Sequence, residues 1–98
     1  MTIEKQLNDH VLTYTLTGRL DTNTSPELEA DLKRSVDGIT GLIFDFTGLE
    51  YLSSSGLRVL LAAQKVMNKQ GTMTLRNVND TIMEVFEITG FVDILTIE

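Results

Sequence analysis

The segment GLIFDF, residues 41–46, constrains the fold more than any other part of this chain, because four of its six side chains are large and apolar. A short and nearly continuous apolar run is typical of a central strand that is buried on both faces of a sheet. Asp45 is its only charged residue. Since an unpaired buried charge is very costly, we expect this carboxylate either to turn outward into the following loop or to be held by hydrogen bonds.

Strand and helix patterns alternate on both sides of this segment. Residues 11–20, VLTYTLTGRL, alternate apolar and polar side chains with a period of two, which predicts a half-buried strand. A weaker strand precedes it, and the turn-forming pair Asn8-Asp9 predicts an opening hairpin. Capping residues, apolar stripes and terminating glycines predict three helices. The predicted elements are, in order, strands 2–7 and 11–20, a helix 26–36 capped by Ser25, strand 41–46, a helix 54–69, strand 72–76, a helix 80–89 capped by Asn79, and a closing strand 94–97.

This order, β-β-α-β-α-β-α-β, predicts an α/β fold in one domain of residues 1–98. Helical crossovers require parallel neighbouring strands everywhere except at the opening hairpin, so we expect a mixed sheet. In open sheets of this kind, binding and reaction sites lie beyond the carboxyl ends of the strands. Two loops are placed there, Gly18–Pro26 and Thr47–Gly56.

The composition excludes several classes of function. The chain has no cysteine, which rules out disulfides and thiolate metal sites. A formal net charge of -6 argues against nucleic acid and favours a protein partner, because binding a polyanion depends on Lys and Arg. No apolar run approaches the ~20 residues that cross a bilayer, and residues 1–9 lack the apolar region of a signal peptide. We therefore expect a cytoplasmic protein without direct membrane insertion.

Three consecutive serines and a glycine, Ser53 to Gly56, stand where the central strand joins the second helix. Their simplest role is capping, but one hydroxyl is enough, so either Ser53 or Ser54 can cap and Ser55 is left without a structural duty. Gly56 lowers helix propensity by about 1 kcal/mol, which suggests that something approaches its backbone closely. A phosphoryl group on Ser55 would be tolerated at this helix N-terminus and would block the docking of a partner.

The second helix has an apolar stripe that faces the core and a polar face opposite to it. The predicted stripe comprises Val59, Leu60, Ala63, Val66 and Met67, and the polar face comprises Arg58, Lys65, Asn68 and Lys69. Leu57 and Leu61 fall off the stripe. They either form a small apolar ridge beside Arg58 for a partner or pack under the neighbouring helix.

Nearly the whole chain resembles the STAS-domain family, whose simplest members are bacterial anti-sigma factor antagonists. The resemblance is carried by GRLDTNTSPEL at 18–28, LIFDFTGLEYLSSSGLRVLL at 42–61, GTMTL at 71–75 and VFEITGFVDILTI at 85–97. It implies a mixed sheet with helices packed on one face and a phosphorylated switch serine at Ser55, with Ser54 as the rival acceptor. The unphosphorylated domain would bind an anti-sigma factor that is also a serine kinase and so release the sigma factor, and a serine phosphatase would reset it.

The resemblance also implies residues for the site. Asp21 and Asp45 match positions near the same end of the sheet, where they would shape the phosphorylation or docking site. Leu57 and Arg58 match the helix surface used for partners. Ser53 stands where antagonists often carry aspartate, and so it can cap the helix without adding a fixed negative charge. The expected partner-binding set is Asp21, Asp45, Ser53, Ser54, Gly56, Leu57, Arg58 and Leu61.

Two other functions fit parts of the pattern. The second helix could dock on the ATPase of a lipid-trafficking ABC transporter, with this chain as its STAS subunit. An enzyme would need Asp21, Asp45 and Ser55 to converge, but a nucleophile needs a positioned base, and the only histidine, His10, lies in the predicted hairpin turn. A phosphate-binding glycine loop with its lysine is also missing. We therefore expect a binding module without enzyme activity, metal or other cofactor.

Overall fold

A four-stranded sheet with the strand order β1-β2-β3-β4 forms the centre of the computed structural model, which describes residues 1–98. β1 and β2 are antiparallel, whereas β2 with β3 and β3 with β4 are parallel. The elements are strands β1 (Thr2–Asn8), β2 (Val11–Leu20), β3 (Gly41–Leu52) and β4 (Thr72–Arg76), helices α1 (Ser25–Ser35), α2 (Ser54–Gln70) and α3 (Asp80–Thr89), and a 3-10 helix (Phe91–Asp93). The predicted α/β class and mixed sheet are confirmed.

The opening hairpin turns through Asp9 and His10, because Asn8 pairs directly with Val11. Asp9 has a φ of 56°, a left-handed conformation that aspartate adopts more readily than most residues. The turn lies one residue later than the predicted pair Asn8-Asp9. It places His10 at the amino end of β2, and the loops that follow the parallel strands lie at the opposite end of the sheet.

The three helices lie on one face of the sheet, and this face carries the core. Alternate residues of the two central strands point into it, and the rings of Tyr14 and Phe44 stack there with centroids 5.5 Å apart. The buried residues of this pattern are Leu12, Tyr14 and Leu16 from β2 and Leu42, Phe44 and Phe46 from β3. On the other face Ile43 and Asp45 are only half-buried. The prediction that the central strand is buried on both faces is therefore wrong, because no helix covers this second face.

β3 runs on to Leu52, so most of the predicted loop 47–56 is strand. Its pairing with β2 changes register between Thr15 and Thr17 and again between Gly18 and Arg19. Such irregularities interrupt the alternation of side chains, and the apolar residues at the end of β3 thereby remain buried. A period-two pattern cannot be followed through them, which is why the sequence predicts an end at Phe46.

The C-terminal segment also differs from its prediction. Instead of a strand over 94–97, the chain leaves α3 through Gly90, whose φ is 80°, and enters the 3-10 helix. Only a single bridge remains, in which Leu75 of β4 donates its N–H to Thr96 O and accepts a bond from Glu98 N–H, both at 2.9 Å. The helical backbone continues through Ile94, with φ -101° and ψ -41°, so only the last residues of the chain run beside β4.

Helix α1 is fastened to the sheet by a polar network around Asp31. The buried Tyr14 hydroxyl donates a 2.6 Å hydrogen bond to this carboxylate, Lys5 of β1 lies 3.1 Å from it, and the Ser35 hydroxyl donates at 3.2 Å. Desolvation by itself would raise the pKa of Asp31, but the bonds from Tyr14 and Lys5 outweigh it and hold this pKa below its usual range. The pKa of Tyr14 is raised, first by burial and then by its bond to Asp31. The network thus stabilises the ionised carboxylate.

We expect Tyr14→Phe to lower the free energy of unfolding by about 1.5–3 kcal/mol at neutral pH, because a hydrogen bond to a charged group is lost. A carboxyl whose pKa is lowered by folding stabilises the protein above its unfolded pKa of about 3.9 and loses that contribution as the pH falls through the folded value. The difference between wild type and Tyr14→Phe should therefore shrink as the pH is lowered from about 5 towards 2. Urea unfolding over this series measures it, and a difference that does not change with pH would contradict the assignment.

Candidate functional site

One residue, Ser53, joins the end of β3 to the start of α2. Its N–H donates to Leu20 O at 2.9 Å, its hydroxyl oxygen accepts from Gly56 N–H at 3.3 Å, and its carbonyl accepts from Leu57 N–H at 3.0 Å. The extended backbone of Ser53, with φ -93° and ψ 173°, is that of a helix N-cap. Of the two capping residues that the sequence allowed, Ser53 is the one that caps α2 in the structure. Ser54 and Ser55 therefore do not cap the helix.

The Ser55 hydroxyl faces side chains rather than the backbone. It lies 3.3 Å from the Thr22 hydroxyl and accepts a 3.3 Å hydrogen bond from Arg58 Nη2. Ser55 is half-buried, whereas its neighbour Ser54 is exposed. An open cavity of about 340 Å³ adjoins the hydroxyl and is lined by Thr22, Ser25, Pro26, Glu29, Ser55, Arg58 and Val59. The site therefore combines one accessible hydroxyl, one cation and empty space.

Asp21 shapes the loop that brings Thr22 to this cavity. Its carboxylate accepts hydrogen bonds from Asn23 N–H at 3.0 Å and Thr24 N–H at 3.2 Å, and Arg19 Nε lies 3.5 Å away. Desolvation opposes ionisation, but the two backbone bonds outweigh it and lower the pKa of Asp21. Asp21 thus acts on the site through the conformation of its loop. The loops after β2 and β3 meet as predicted, since Thr22 reaches Ser55.

Asp45 lies away from Ser55, on the sheet face that no helix covers. Its carboxylate accepts bonds from Thr47 N–H at 2.9 Å, the Thr47 hydroxyl at 2.6 Å and Asn77 Nδ2 at 3.0 Å. The bonds from Thr47 and Asn77 outweigh desolvation and lower the pKa of Asp45. Because β3 continues for seven residues past Asp45, roughly 20 Å of strand separates it from the α2 joint. Of the two outcomes predicted for this carboxylate, the structure shows the hydrogen-bonded one, and it does not bring Asp45 to the serines.

Gly56 and Leu57 belong to the core. A Cβ atom on Gly56 would lie 2.6 Å from Leu52 Cδ1 and 2.9 Å from Leu20 Cγ, so the glycine lets α2 pack closely on the sheet. The group that approaches its backbone is therefore part of the chain itself. Leu57 is 6% exposed and so does not form the predicted ridge, which leaves the half-buried Leu61 as the apolar side chain beside Arg58.

The outer face of α2 is basic, although the chain has a formal net charge of -6. The helix carries Arg58, Lys65 and Lys69 and no carboxylate, and all three cations are exposed. Val66 of the same helix is 39% exposed, although the sequence assigns it to the core stripe. The difference arises because α1 covers only part of that side of α2, leaving an apolar groove of about 120 Å³ that Val66 lines.

The sequence does not single out three residues of this end of the sheet. Thr22 is one of several hydroxyls in its loop, and Arg19 and Tyr51 lie at paired positions of β2 and β3. The Arg19 guanidinium lies 4.1 Å from the centre of the Tyr51 ring, which is a cation-π contact. The Tyr51 side chain is 41% exposed. The pair could have been found only from the strand register, which the irregularities of β2 hide.

The remaining side chains and helices form neither a metal site nor a membrane span. No cluster of three or more His, Cys, Asp and Glu side chains is arranged to hold a metal ion. None of the helices has the length and apolar character needed to cross a membrane.

Known proteins resemble this chain along almost its whole length. The family model of the STAS domain matches residues 2–98. A putative anti-sigma factor antagonist, BtrV of Bordetella bronchiseptica, is 37% identical over 91 residues, which cover 91% of this chain and 78% of that protein. The anti-sigma-B factor antagonist of Listeria monocytogenes is 31% identical over 99 residues, covering 98% and 85%.

Solved structures show the same fold. The anti-sigma factor antagonist SpoIIAA superimposes in its unphosphorylated form with a TM-score of 0.86, covering 99% of this chain and 88% of that one. Its phosphorylated form, described as a Bacillus cell fate determinant, gives a TM-score of 0.79, with 99% and 91% covered. Both are 20% identical to this chain. The resemblance carried by the sequence motifs is confirmed, and the chain belongs to the STAS domain family.

Proposed function

We propose that this protein is an anti-sigma factor antagonist that is switched by phosphorylation of Ser55. The unphosphorylated form binds an anti-sigma factor with serine kinase activity and releases the sigma factor in the cytoplasm. The observation that carries the proposal is the Ser55 hydroxyl, which is free of backbone duty and opens on a cavity at the start of α2. The names of the relatives with 37% and 31% identity and the existence of a phosphorylated SpoIIAA support it.

The two partner enzymes, a kinase and a phosphatase, catalyse the chemical steps of the switch. The kinase transfers the γ-phosphoryl group of ATP to Ser55 Oγ, the hydroxyl proton passes to the kinase base, and ADP leaves. A serine phosphatase hydrolyses the phosphoester with water and returns the serine and inorganic phosphate. This chain supplies only the acceptor hydroxyl. The two groups hydrogen-bonded to Ser55 Oγ are the Thr22 hydroxyl and the Arg58 guanidinium, and neither can take up its proton.

The surface around Ser55 suits a partner with an acidic docking patch. Arg58, Lys65 and Lys69 point outward from α2, and long-range attraction by such a basic helix would speed association with an acidic surface. A phosphoryl group adds about -1.5 to -2 charges at the N-terminal end of this helix. It would oppose the same acidic patch that the cations attract, so phosphorylation weakens docking without any change of fold.

Within the predicted partner-binding set, the exposed Arg58 and the half-buried Leu61 are proposed to touch the partner, and the exposed Ser54 is proposed to lie at the solvent-accessible rim of that contact. Asp21 is proposed to hold the Thr22 loop in place, and Ser53 to cap α2. Gly56 and Leu57 contribute by fixing α2 on the sheet. Asp45 has no role at the serine site in this proposal.

The identity of the acceptor is tested by phosphotransfer. The protein is mixed with candidate anti-sigma kinases and ATP, and the modified residue is located by mass spectrometry. We expect one phosphoryl group on wild type and on Ser54→Ala, and none on Ser55→Ala, because the Ser55 hydroxyl adjoins the cavity. Ser54→Ala is the matched control, since it removes the adjacent hydroxyl. Incorporation that persists in Ser55→Ala would assign the acceptor to another residue.

The transporter alternative stays a prediction. A STAS subunit of an ABC transporter would bind an ATPase through the same exposed face of α2 but would acquire no phosphoryl group. The phosphotransfer experiment, extended with such an ATPase as a binding partner, separates the two functions.

A further inference from the structure

We propose that the cavity beside Ser55 receives the phosphoryl group, with Arg58 as its internal counter-ion and the Thr22 hydroxyl as a second hydrogen-bond donor. The inference deepens the proposed function and rests on Ser55 as the acceptor. It concerns how the phosphorylated state is held rather than how it is made.

Arg58 is placed and free for this role. Its Nη2 already donates to Ser55 Oγ at 3.3 Å, so a phosphoryl group attached to that oxygen comes within direct reach of the guanidinium. Arg58 takes part in none of the ion pairs of the structure. Arginine presents several N–H donors in a plane and matches phosphate oxygens in pairs. The Thr22 hydroxyl, 3.3 Å from the same oxygen, adds a donor from the facing loop.

The cavity has room for the group and only one acidic wall. Its volume of about 340 Å³ is many times the roughly 10–15 Å³ of such space that holds one water molecule, and the cavity is open to solvent. Two charged side chains line it, Arg58 of α2 and Glu29 of α1, and Asp21 lies next to the lining residue Thr22 in the loop between β2 and α1. Glu29 is paired with Lys33 at 3.6 Å, and Asp21 is bonded within its own loop and to Arg19. Both carboxylates therefore have partners that reduce their repulsion of a phosphoryl group.

The backbone supplies only part of the hydrogen bonding that a phosphoryl group needs. Of the four N–H groups that the start of a helix leaves without an intrahelical partner, those of Ser53 and Gly56 are already bonded, to Leu20 O at 2.9 Å and to Ser53 Oγ at 3.3 Å. Side chains must then supply much of the stabilisation of the new charge, and Arg58 is the cation in contact with it. The same contact withdraws an exposed cation from the docking face. Phosphorylation would thus weaken docking twice, by adding negative charge and by occupying Arg58.

The counter-ion is detected by the second ionisation of the phosphoryl group. Ser55 is replaced by phosphoserine during translation, so that no kinase is needed, and the ³¹P chemical shift is followed by NMR between about pH 4 and 8 around the ordinary second pKa of about 6. A cation in contact favours the dianion and lowers this pKa. We expect the pKa to rise by about 0.5–1 unit in Arg58→Gln, to stay near the wild-type value in Arg58→Lys, which keeps the charge, and to rise less in Thr22→Val.

Lys65→Gln is the matched control, because it removes the same charge from the same helix two turns further on. We expect it to leave the ³¹P titration unchanged. Equal pKa values in wild type and Arg58→Gln overturn the proposal, and so does an equal rise in Lys65→Gln, which would show only the general field of α2. Because the phosphoserine is introduced without a kinase, this result is independent of the phosphotransfer experiment: absence of phosphotransfer contradicts the proposed function, whereas an unchanged titration contradicts the counter-ion.

Discussion

Ser55→Asp is expected to weaken binding of the anti-sigma partner by at least about 30-fold, which corresponds to about 2 kcal/mol. A carboxylate at this position places negative charge against the acidic patch that the basic face of α2 is proposed to bind, and like charges brought together in an interface cost several kcal/mol. Ser55→Ala adds no charge and removes a hydroxyl whose neighbours are Thr22 and Arg58. We expect it to bind like the unmodified protein and to stay bound to the partner kinase after ATP is added. Isothermal titration calorimetry measures both affinities.

Ser54→Asp is the control for the position of the charge. It introduces the same carboxylate one residue earlier, on an exposed side chain that does not adjoin the cavity. We expect its effect to be several-fold smaller than that of Ser55→Asp and to fade with added salt, as for a solvent-exposed charge. Equal affinity of Ser55→Ala and Ser55→Asp would contradict the switch, and equal loss in the two aspartate variants would contradict the assignment to Ser55.

Gly71→Ala is expected to destabilise the fold by about 3 kcal/mol or more, at or above the upper end of the usual cost of overpacking. A Cβ atom on Gly71 would lie 1.9 Å from Thr40 O and 2.6 Å from its carbonyl carbon. The obstacle is backbone and cannot rotate away. Thr40 is also held in place, because its carbonyl accepts a 3.0 Å bond from Thr72 N–H at the start of β4. Either the joint between α2 and β4 or the loop before β3 must move.

Gly41→Ala is the matched control for this substitution. A Cβ atom there would come 3.2 Å from Val11 Cγ2, at the tip of a side chain that can adjust. We expect a change in the free energy of unfolding below about 1 kcal/mol, because the gain of about 0.4–1 kcal/mol from the less flexible unfolded chain of an alanine offsets the cost of this contact. Urea unfolding monitored by circular dichroism compares the two variants with wild type. A loss in Gly71→Ala no larger than in Gly41→Ala would show that the backbone at Thr40 yields easily.

Most of the architecture could be predicted because local signals agree with the fold. The alternation over residues 11–20, the Asn79 cap and the Gly90 stop each specify their element without tertiary contacts, and all three appear in the structure. The end of β3 could not be predicted in this way, since its register depends on how an irregular β2 pairs with it. The predicted closing strand over 94–97 is wrong for a related reason. This segment pairs with β4 through a single bridge, whereas a strand would form a continuous ladder.

The candidate site was predicted in outline but not in its contacts. The rule that loops meet beyond the carboxyl ends of parallel strands correctly joins the Thr22 loop to the serines. It could not show which loop residue faces Ser55, because that depends on the turn that Asp21 imposes through Asn23 and Thr24. The place of Asp45 near the serines was implied by the resemblance alone, and the structure differs there, because a position near the end of an apolar run does not specify the face of the sheet or how far the strand continues.

The single-residue connection between β3 and α2 has a consequence for the speed of signalling. Because Ser53 is bonded both to Leu20 and to the first turn of α2, the helix cannot swing on its joint without breaking these bonds. The proposed modification of Ser55 would then act on a rigid surface, with no slow rearrangement between the covalent change and its effect on binding. The lifetime of each state would be set by the kinase and the phosphatase alone. The domain itself would add no delay of its own when the phosphoryl group is attached or removed.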